Sequence, residues 1–566
     1  MTPPSWVTEE LIGNTQDDFF QVEEAEPEVT KPAIVPTDEQ NNVCELSALH
    51  KCLKISAYAG AAKTSTLCMV AEKMCAPSLM LTFNKSLAEE AKHRFPSWVE
   101  CRTTHSLAYQ HFGVQLAKKL KRPFGPYKNV AGTGTEIAKY FKTGDFLYQI
   151  PGEYETRRMK AGGVGVAIKE TVAKFEQSAD VEMTYKHVST SPCDTMLLRD
   201  EASMRSFKYL VLGAAKKLWT LRTDLRSDVL ATHDTYLKLY QLSKPDLSQY
   251  EILYLDECQD VNAVVLDIFL QQMGRCRLYA VGDGFQNIYS WRGAMNAMLE
   301  LDWEEATLSK SFRFGQVIGD IANCVLARDG KIITDVKGWE KLNTQAMHKQ
   351  DLDQEVYDGK YTMLFRTNGA LIMEAVSLLE DGKRVNLEID VSDFTKLLDS
   401  AIELQRGNMN KVKHESLVQF ANWEEMGIEA EVVQGELKRV HTMVTNGSVY
   451  KVLGVLSKHK NFSDPDVILT TAHKSKGREF DVVILADDFP SPFNKEGEWV
   501  GLQDMERNLL YVALTRTKLL LGYNDTVQQM MNRVARYERA VSGEFDSFVG
   551  KQVRQLEREL AYQLGE

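Results

Sequence analysis

Six short apolar runs in this chain each break off into a polar or small-residue loop: CLKISAYAG, SLMLTFNKS, EILYLDECQD, CRLYAVGDGFQ, YTMLFRTN and DVILTTAHKSKG. An apolar run of roughly five residues, bounded by turn formers, reads as a strand buried on both faces. Such strands belong to parallel sheets covered by helices, and helical patterns fill the intervals between these runs. The expected fold is therefore α/β, with ligands beyond the carboxyl ends of the strands. The runs form two groups, 39–110 with 230–312 and 313–375 with 465–525, so two cores are expected. Between them, 111–229 is mainly helical with basic patches (LAKKLKRPFGPYKN, GAAKKLWTLRTDLR), and 376–464 is charged and irregular. Both read as accessory insertions into the cores. The last stretch, 526–566, reads as amphipathic helices.

At 566 residues the chain is too long for a single core. No apolar run approaches the roughly 18 residues needed to cross a bilayer, so no membrane partner is expected. The opening MTPPSWVTEELIGNTQDDFF lacks a basic segment followed by an apolar one, so secretion is not expected. Nine cysteines are scattered without C-x-x-C or zinc spacing, which suits reduced thiols in a cytoplasmic protein. The net charge of −12 argues against a protein coated in positive charge for bulk nucleic-acid binding, but leaves room for a local basic groove. Ten acids fall in the first 40 residues, where Lys31 is the only base. Residues 1–38 therefore read as a disordered acidic tail, and its QDDFF is either a solvated segment or a docking peptide for a partner protein.

Three loops carry chemistry. In SAYAGAAKTSTL a strand runs through a small-residue turn into a helix whose N-terminal N–H groups can bind phosphate. Lys63 would neutralise the β/γ-phosphates and Thr64 would ligate Mg²⁺, as in a phosphate loop. The residue before the lysine, however, is Ala62, where that pattern has glycine. By itself the stretch reads equally well as an ordinary strand-turn-helix. In ILYLDECQD a strand delivers Asp256, which can hold Mg²⁺ through water, and Glu257, which can orient and deprotonate a water. The pairing with a Lys-Thr loop makes a mere acidic strand end the weaker reading, and Gln259 and Asp260 narrow it further. In VGDGFQNIYSWRGA, Gln286 sits just past a strand, where it could touch both a γ-phosphate and the attacking water. Tyr289 and Trp291, alternating with Ser290 and Arg292, could form a stacking platform for unpaired bases or a core aromatic stripe.

Taken in order, these motifs resemble those of superfamily 1 DNA helicases of the UvrD/PcrA/Rep type, and in particular the helicase part of the F-box DNA helicases. PTDEQNNV resembles the adenine-reading Q motif, through Gln40. LTFNKSLAEEA and CRTTHSLAY resemble motifs Ia and Ib, which implies DNA contacts from Phe83, Asn84, Lys85, Thr104 and His105. LSKSFRFG resembles motif IV, with Phe312 against adenine and Arg313 on the γ-phosphate. TTAHKSKGREFDVVIL resembles motif V, with Glu479 at the ribose and His473 coupling the nucleotide and DNA sites. ERNLLYVALTRTK resembles motif VI, with Arg516 as a second arginine finger. No F-box sequence is apparent in the acidic N-terminal segment, and no nuclease signature at the other end.

The resemblance implies two RecA-like P-loop domains with parallel sheets, each carrying an inserted accessory domain. It implies ATP with Mg²⁺ held by Thr64 and Asp256, and a phosphate cradle of Gly60, Ala61, Ala62, Lys63, Thr64 and Ser65. Lys63, Glu257 and Gln286 come from one core, Arg313 and Arg516 from the other. Arginine fingers of this kind contribute a rate factor on the order of 10³–10⁵. The implied activity is 3′–5′ translocation on single-stranded DNA and unwinding at junctions, in replication, repair or recombination, on the nucleoid or in a nucleus. A replication or recombination protein is the partner the tail would take. The rival reading is an ATP-gated clamp that strips protein without useful unwinding; RNA unwinding is a weaker third. If position 62 is left-handed, alanine there costs about 1–2 kcal/mol, which lowers nucleotide affinity without abolishing it.

Overall fold

A computed structural model of the chain describes residues 35–82, 84–120, 131–149, 156–191, 193, 200–289, 295–433 and 435–542. Most of the acidic tail, Phe83, Ser290, Trp291, Arg292 and the final amphipathic run lie outside the described residues.

In chain order, the first half carries β1 (Cys52–Ala57), β2 (Ser78–Thr82) and β3 (Val99–Thr103). A small antiparallel pair follows, β4 (Phe146–Gln149) and β5 (Thr156–Met159), and then β6 (Ile252–Leu255), β7 (Arg277–Gly282) and β8 (Glu304–Leu308). All but the small pair form one parallel sheet ordered β3-β2-β6-β7-β1-β8. Every residue of β2 and β6 is buried, as a strand covered on both faces requires. Alternate residues feed two separate cores: Leu79, Leu81, Leu253 and Leu278 on one face, Met80, Tyr254, Tyr279 and Val281 on the other.

The second half repeats the plan with β9 (Gln345–His348), β10 (Tyr361–Phe365), β11 (Val385–Glu388), β12 (Val467–Thr471), β13 (Phe480–Leu485) and β14 (Thr517–Tyr523). These form a second parallel sheet ordered β11-β12-β10-β13-β14-β9. The α/β architecture with two parallel sheets is thus the one expected from the six runs. Among the described residues no helix is long and apolar enough to cross a membrane.

The two intervening stretches behave differently. Within 111–229, the helices Ala161–Glu176 and Glu201–Thr223 pack around their own core of Ile168, Phe175, Phe207 and Leu218, with a buried Glu176–Arg222 ion pair between them. The stretch 376–464, expected as an accessory insertion, packs directly on the second sheet. Its β11 is an edge strand of the second sheet, and Phe394, Leu398, Ile402, Met426, Val440 and Val452 share one core with that sheet's Val385, Leu387, Val467 and Leu469. The charged surface residues hide an apolar helical face here, which covers the sheet rather than closing on itself. The helix Asp525–Ser542 likewise buries Val527, Met530 and Val534 against the second sheet's other face.

Candidate nucleotide and nucleic-acid site

The loop after β1 is shaped by the backbone. Gly60 has φ 76°, and a Cβ there would lie 2.4 Å from Ser311 Oγ and 2.9 Å from Arg313 Cβ, so only glycine lets the loop pass beneath the chain entering the second half. Ala62 has φ 56° and ψ 40°, the left-handed conformation that the sequence made conditional. It opens the helix Lys63–Met74, and no side chain caps that helix. The next two helices are capped, by Asn84 onto the Leu87 N–H at 2.9 Å and by Thr103 onto the Ser106 N–H at 3.1 Å. The uncapped N–H groups of the first turn suit an anionic ligand. Ser65, expected in the cradle, turns its hydroxyl to accept from Arg94 Nη2 at 2.7 Å.

Asp256 and Glu257 follow β6 directly. Glu257 also holds a left-handed backbone, with φ 51°, a strain that concentrates at functional sites. Its carboxylate pairs with Lys63 Nζ at 3.1 Å and accepts from Gln259 Nε2 at 2.6 Å. Burial opposes the Glu257 charge, but Lys63 and Lys476 outweigh it and hold the carboxyl below its usual range. Burial and then the Glu257 charge push the neighbouring Asp256 upward, while the Thr64 hydroxyl bonds to it. Thr64 and Asp256 thus offer adjacent oxygen donors of the kind Mg²⁺ takes. Among the described residues no three His, Cys, Asp or Glu side chains gather as a metal site.

A hydrogen-bonded chain runs from this pair across the seam between the sheets. Gln259 Oε1 accepts from the Asp283 N–H at 3.1 Å, Asp283 Oδ2 accepts from Gln286 Nε2 at 2.7 Å, and Gln286 Oε1 accepts from Arg516 Nη2 at 3.3 Å. Arg516 is fully buried and anchored on the Val512 carbonyl at 2.8 Å. Burial, with the like charge of Arg313, lowers its pKa to about 9, which leaves it cationic at neutral pH. Arg313 donates to Glu479 Oε1 at 2.8 Å and to the Thr515 carbonyl at 3.0 Å. Two residues expected at the γ-phosphate and the ribose are therefore each other's partners here. Phe312 sits beside the loop, its N–H on the Gly60 carbonyl at 2.9 Å and its ring edge-on to Trp339. Gln40 is buried, and its amide donates to Thr66 on the phosphate-loop helix at 3.1 Å.

On the adjoining side, a groove of about 1720 Å³ opens at the carboxyl ends of the second sheet, lined in part by Tyr289, Arg366, Lys438, Arg439, His473 and Lys474. Tyr289 Oη donates to the His473 carbonyl at 3.1 Å, which joins the first half to this groove. Asn84 is occupied as a helix cap and Lys85 is exposed. Thr104 is buried, so its side chain is not on the surface expected of a DNA contact; the half-exposed neighbour is His105, 3.3 Å from Asp234.

A UvrD-like helicase C-terminal domain model matches residues 225–524, more than half of the chain, and a UvrD/REP helicase N-terminal domain model matches residues 37–306. The chain belongs to the UvrD-like helicase family. It is 30% identical over 515 residues to F-box DNA helicase 1 of Gallus gallus, covering 85% of this chain and 48% of that protein. It is also 30% identical over 532 residues to F-box DNA helicase protein 1 of Schizosaccharomyces pombe, covering 87% and 58% respectively. A shorter match, 40% identical over 103 residues, joins 16% of the chain to 14% of the ATP-dependent DNA helicase PcrA of Leuconostoc citreum. The chain spans about half the length of the F-box relatives.

This UvrD-like seam also holds residues that the sequence reading passed over. Lys476 bonds Asp260 and donates to the Gln286 carbonyl at 2.6 Å, with its ammonium 5.3 Å over the Tyr289 ring. It follows the short helix Ala472–Ser475 in the connection after β12, so the strand-end rule that singled out the other loops applied to it too. Glu39 accepts the Ser309 N–H at 2.7 Å and so ties the segment before β1 to the end of β8. No spacing rule signals that contact.

Proposed function

We propose that the protein is an ATP-dependent DNA helicase that translocates 3′ to 5′ on single strands and opens duplex at junctions, in replication, repair or recombination. The observation that carries this reading is the continuous polar chain Lys63–Glu257–Gln259–Asp283–Gln286–Arg516, assembled from both sheets. Lys63 would neutralise phosphate charge, and anionic Glu257 would orient and deprotonate the attacking water. Arg313 and Arg516 would stabilise charge on the transferred phosphoryl from the opposite side. Thr64 and Asp256 would hold Mg²⁺, which when bound supplies further positive charge to the phosphates. Because one sheet holds the phosphate loop and the other the arginines, hydrolysis would loosen the seam, and Tyr289, Trp291 and Arg292 would pass that movement to a strand in the groove. The domain division that goes with this reading is 39–110 with 230–312, and 313–375 with 465–525, the segment 111–229 being the accessory domain of the first.

The test is hydrolysis with and without single-stranded DNA, followed by strand displacement on duplexes with 3′ or 5′ tails. DNA-stimulated hydrolysis and displacement from 3′ tails are expected; hydrolysis indifferent to DNA, or displacement only from 5′ tails, would overturn the reading. A second reading, an ATP-gated clamp that strips bound protein, is favoured by the way 376–464 is built into the second sheet's core. Displacement of streptavidin from a biotinylated strand without displacement of a complementary strand would select it.

A further inference from the structure

One side chain crosses the seam without belonging to any role assigned so far. Tyr511, on the helix Asp504–Leu514 of the second half, is completely buried. Its hydroxyl accepts the N–H of Ala59, the residue immediately before Gly60, at 3.0 Å. It donates to Asp283 Oδ2 at 3.0 Å, the same oxygen that accepts from Gln286. Burial and the Asp283 charge hold the phenol proton well above its usual range, so the hydroxyl stays a donor to the carboxylate. The ring is fixed independently, edge-on to Phe285, which stacks on Tyr58. One hydroxyl on the second half thus ties the phosphate loop to the carboxylate that orients Gln286.

We propose that Tyr511 is a positioning residue that links the state of the phosphate loop to Gln286, and through it to the DNA-stimulated rate. The inference rests on the ATP-driven reading above. A shift of the loop at Ala59 moves an acceptor whose other bond fixes Asp283, and Asp283 fixes the Gln286 amide. Separation of the two halves strips both buried partners at once, leaving an amide and a carboxylate oxygen short of a bond. A second seam contact on the same helix lies outside this relay: Asn508 Nδ2 donates to the Asn287 carbonyl at 3.0 Å.

The experiment measures ATP hydrolysis with and without single-stranded oligodeoxythymidylate for the wild type, Tyr511→Phe and Asn508→Ala. Tyr511→Phe keeps the ring and loses only the hydroxyl. Its DNA-stimulated kcat should fall roughly tenfold or more, the order expected when buried bonds are unmade. KM for ATP should change less than kcat, and the ratio of stimulated to unstimulated rate should fall. Asn508→Ala should keep the full ratio of stimulated to unstimulated rate. An unchanged ratio in Tyr511→Phe, or an equal loss in Asn508→Ala, would overturn the proposal, the latter by showing that any weakening of the seam suffices. Should Tyr511→Phe not fold, Asp283→Asn probes the relay from its other end, and a preserved ratio there would overturn it as well. Wild-type hydrolysis that ignores DNA would instead defeat the functional reading itself.

Discussion

The two sides of the seam are built by different means. On the first side the backbone does the shaping: Gly60, Ala62 and Glu257 all hold left-handed conformations at strand ends, and the helix at Lys63 is left uncapped. On the second side Arg313 and Arg516, neither of them at positive φ, hang on carbonyls, those of Thr515 and Val512. One side supplies a fixed mould and the other supplies movable charge. A mould persists whether or not the halves are together, whereas charge delivered from across a seam is withdrawn when the halves part. Affinity should therefore belong mostly to the first side, and the rate of phosphoryl transfer to the joining of the two.

That division can be broken most forcefully at Arg516. Arg516→Ala should lower kcat by about 10³–10⁵ while ATP still binds, as measured by steady-state turnover beside nucleotide titration; a change in affinity alone would reverse the assignment. Glu257→Gln should lower hydrolysis by about 10²–10⁴ and retain binding, because the water loses its base but Lys63 remains. Lys63→Ala should instead lose binding and hydrolysis together, and near wild-type turnover in either variant would remove the first side from the chemistry. Trp291→Ala should weaken single-strand binding about 5- to 150-fold, from roughly 1–3 kcal/mol of lost stacking, with basal hydrolysis kept. Fluorescence anisotropy checks this, and unchanged affinity would make Trp291 a core aromatic. The smallest effect should come from Ala62→Gly, which relieves about 1–2 kcal/mol of left-handed strain and tightens ATP binding tenfold at most. Weaker binding in isothermal titration would show that the alanine methyl contributes to the mould.

Much of this seam was readable because strands that end in polar loops bring those loops to one edge of a sheet. Lys63, Asp256, Glu257 and Gln286 follow β1, β6 and β7, and the sheet order makes those loops neighbours without further information. The burial of Thr104 was not legible in its motif; the residue that caps the helix there is the preceding Thr103. The packing of 376–464 was not legible either. Charged residues dominate its composition, yet the helix Val391–Gln405 carries a continuous apolar face, and only the presence of an uncovered sheet face decides whether such a helix packs at home or apart. Tyr511 was hidden by distance: its partners Asp283 and Ala59 lie 228 and 452 residues away, and no local period records a contact of that kind.

The ion pair between Lys63 and Glu257 gives the lysine an anionic partner before any ligand arrives. On the proposed reading a phosphate arriving in the loop would perform an exchange rather than an addition, since the carboxylate would have to yield the ammonium before an anion from solution could take it. The displaced carboxylate stays on its loop, a tethered competitor whose effective concentration is about millimolar or higher. Were the bond to the terminal phosphate cut there and the inorganic ion to begin leaving, the same carboxylate would be in place to reclaim the charge. Release would then be hastened by the protein's own anion, and the group that prepares the water would also help clear the site.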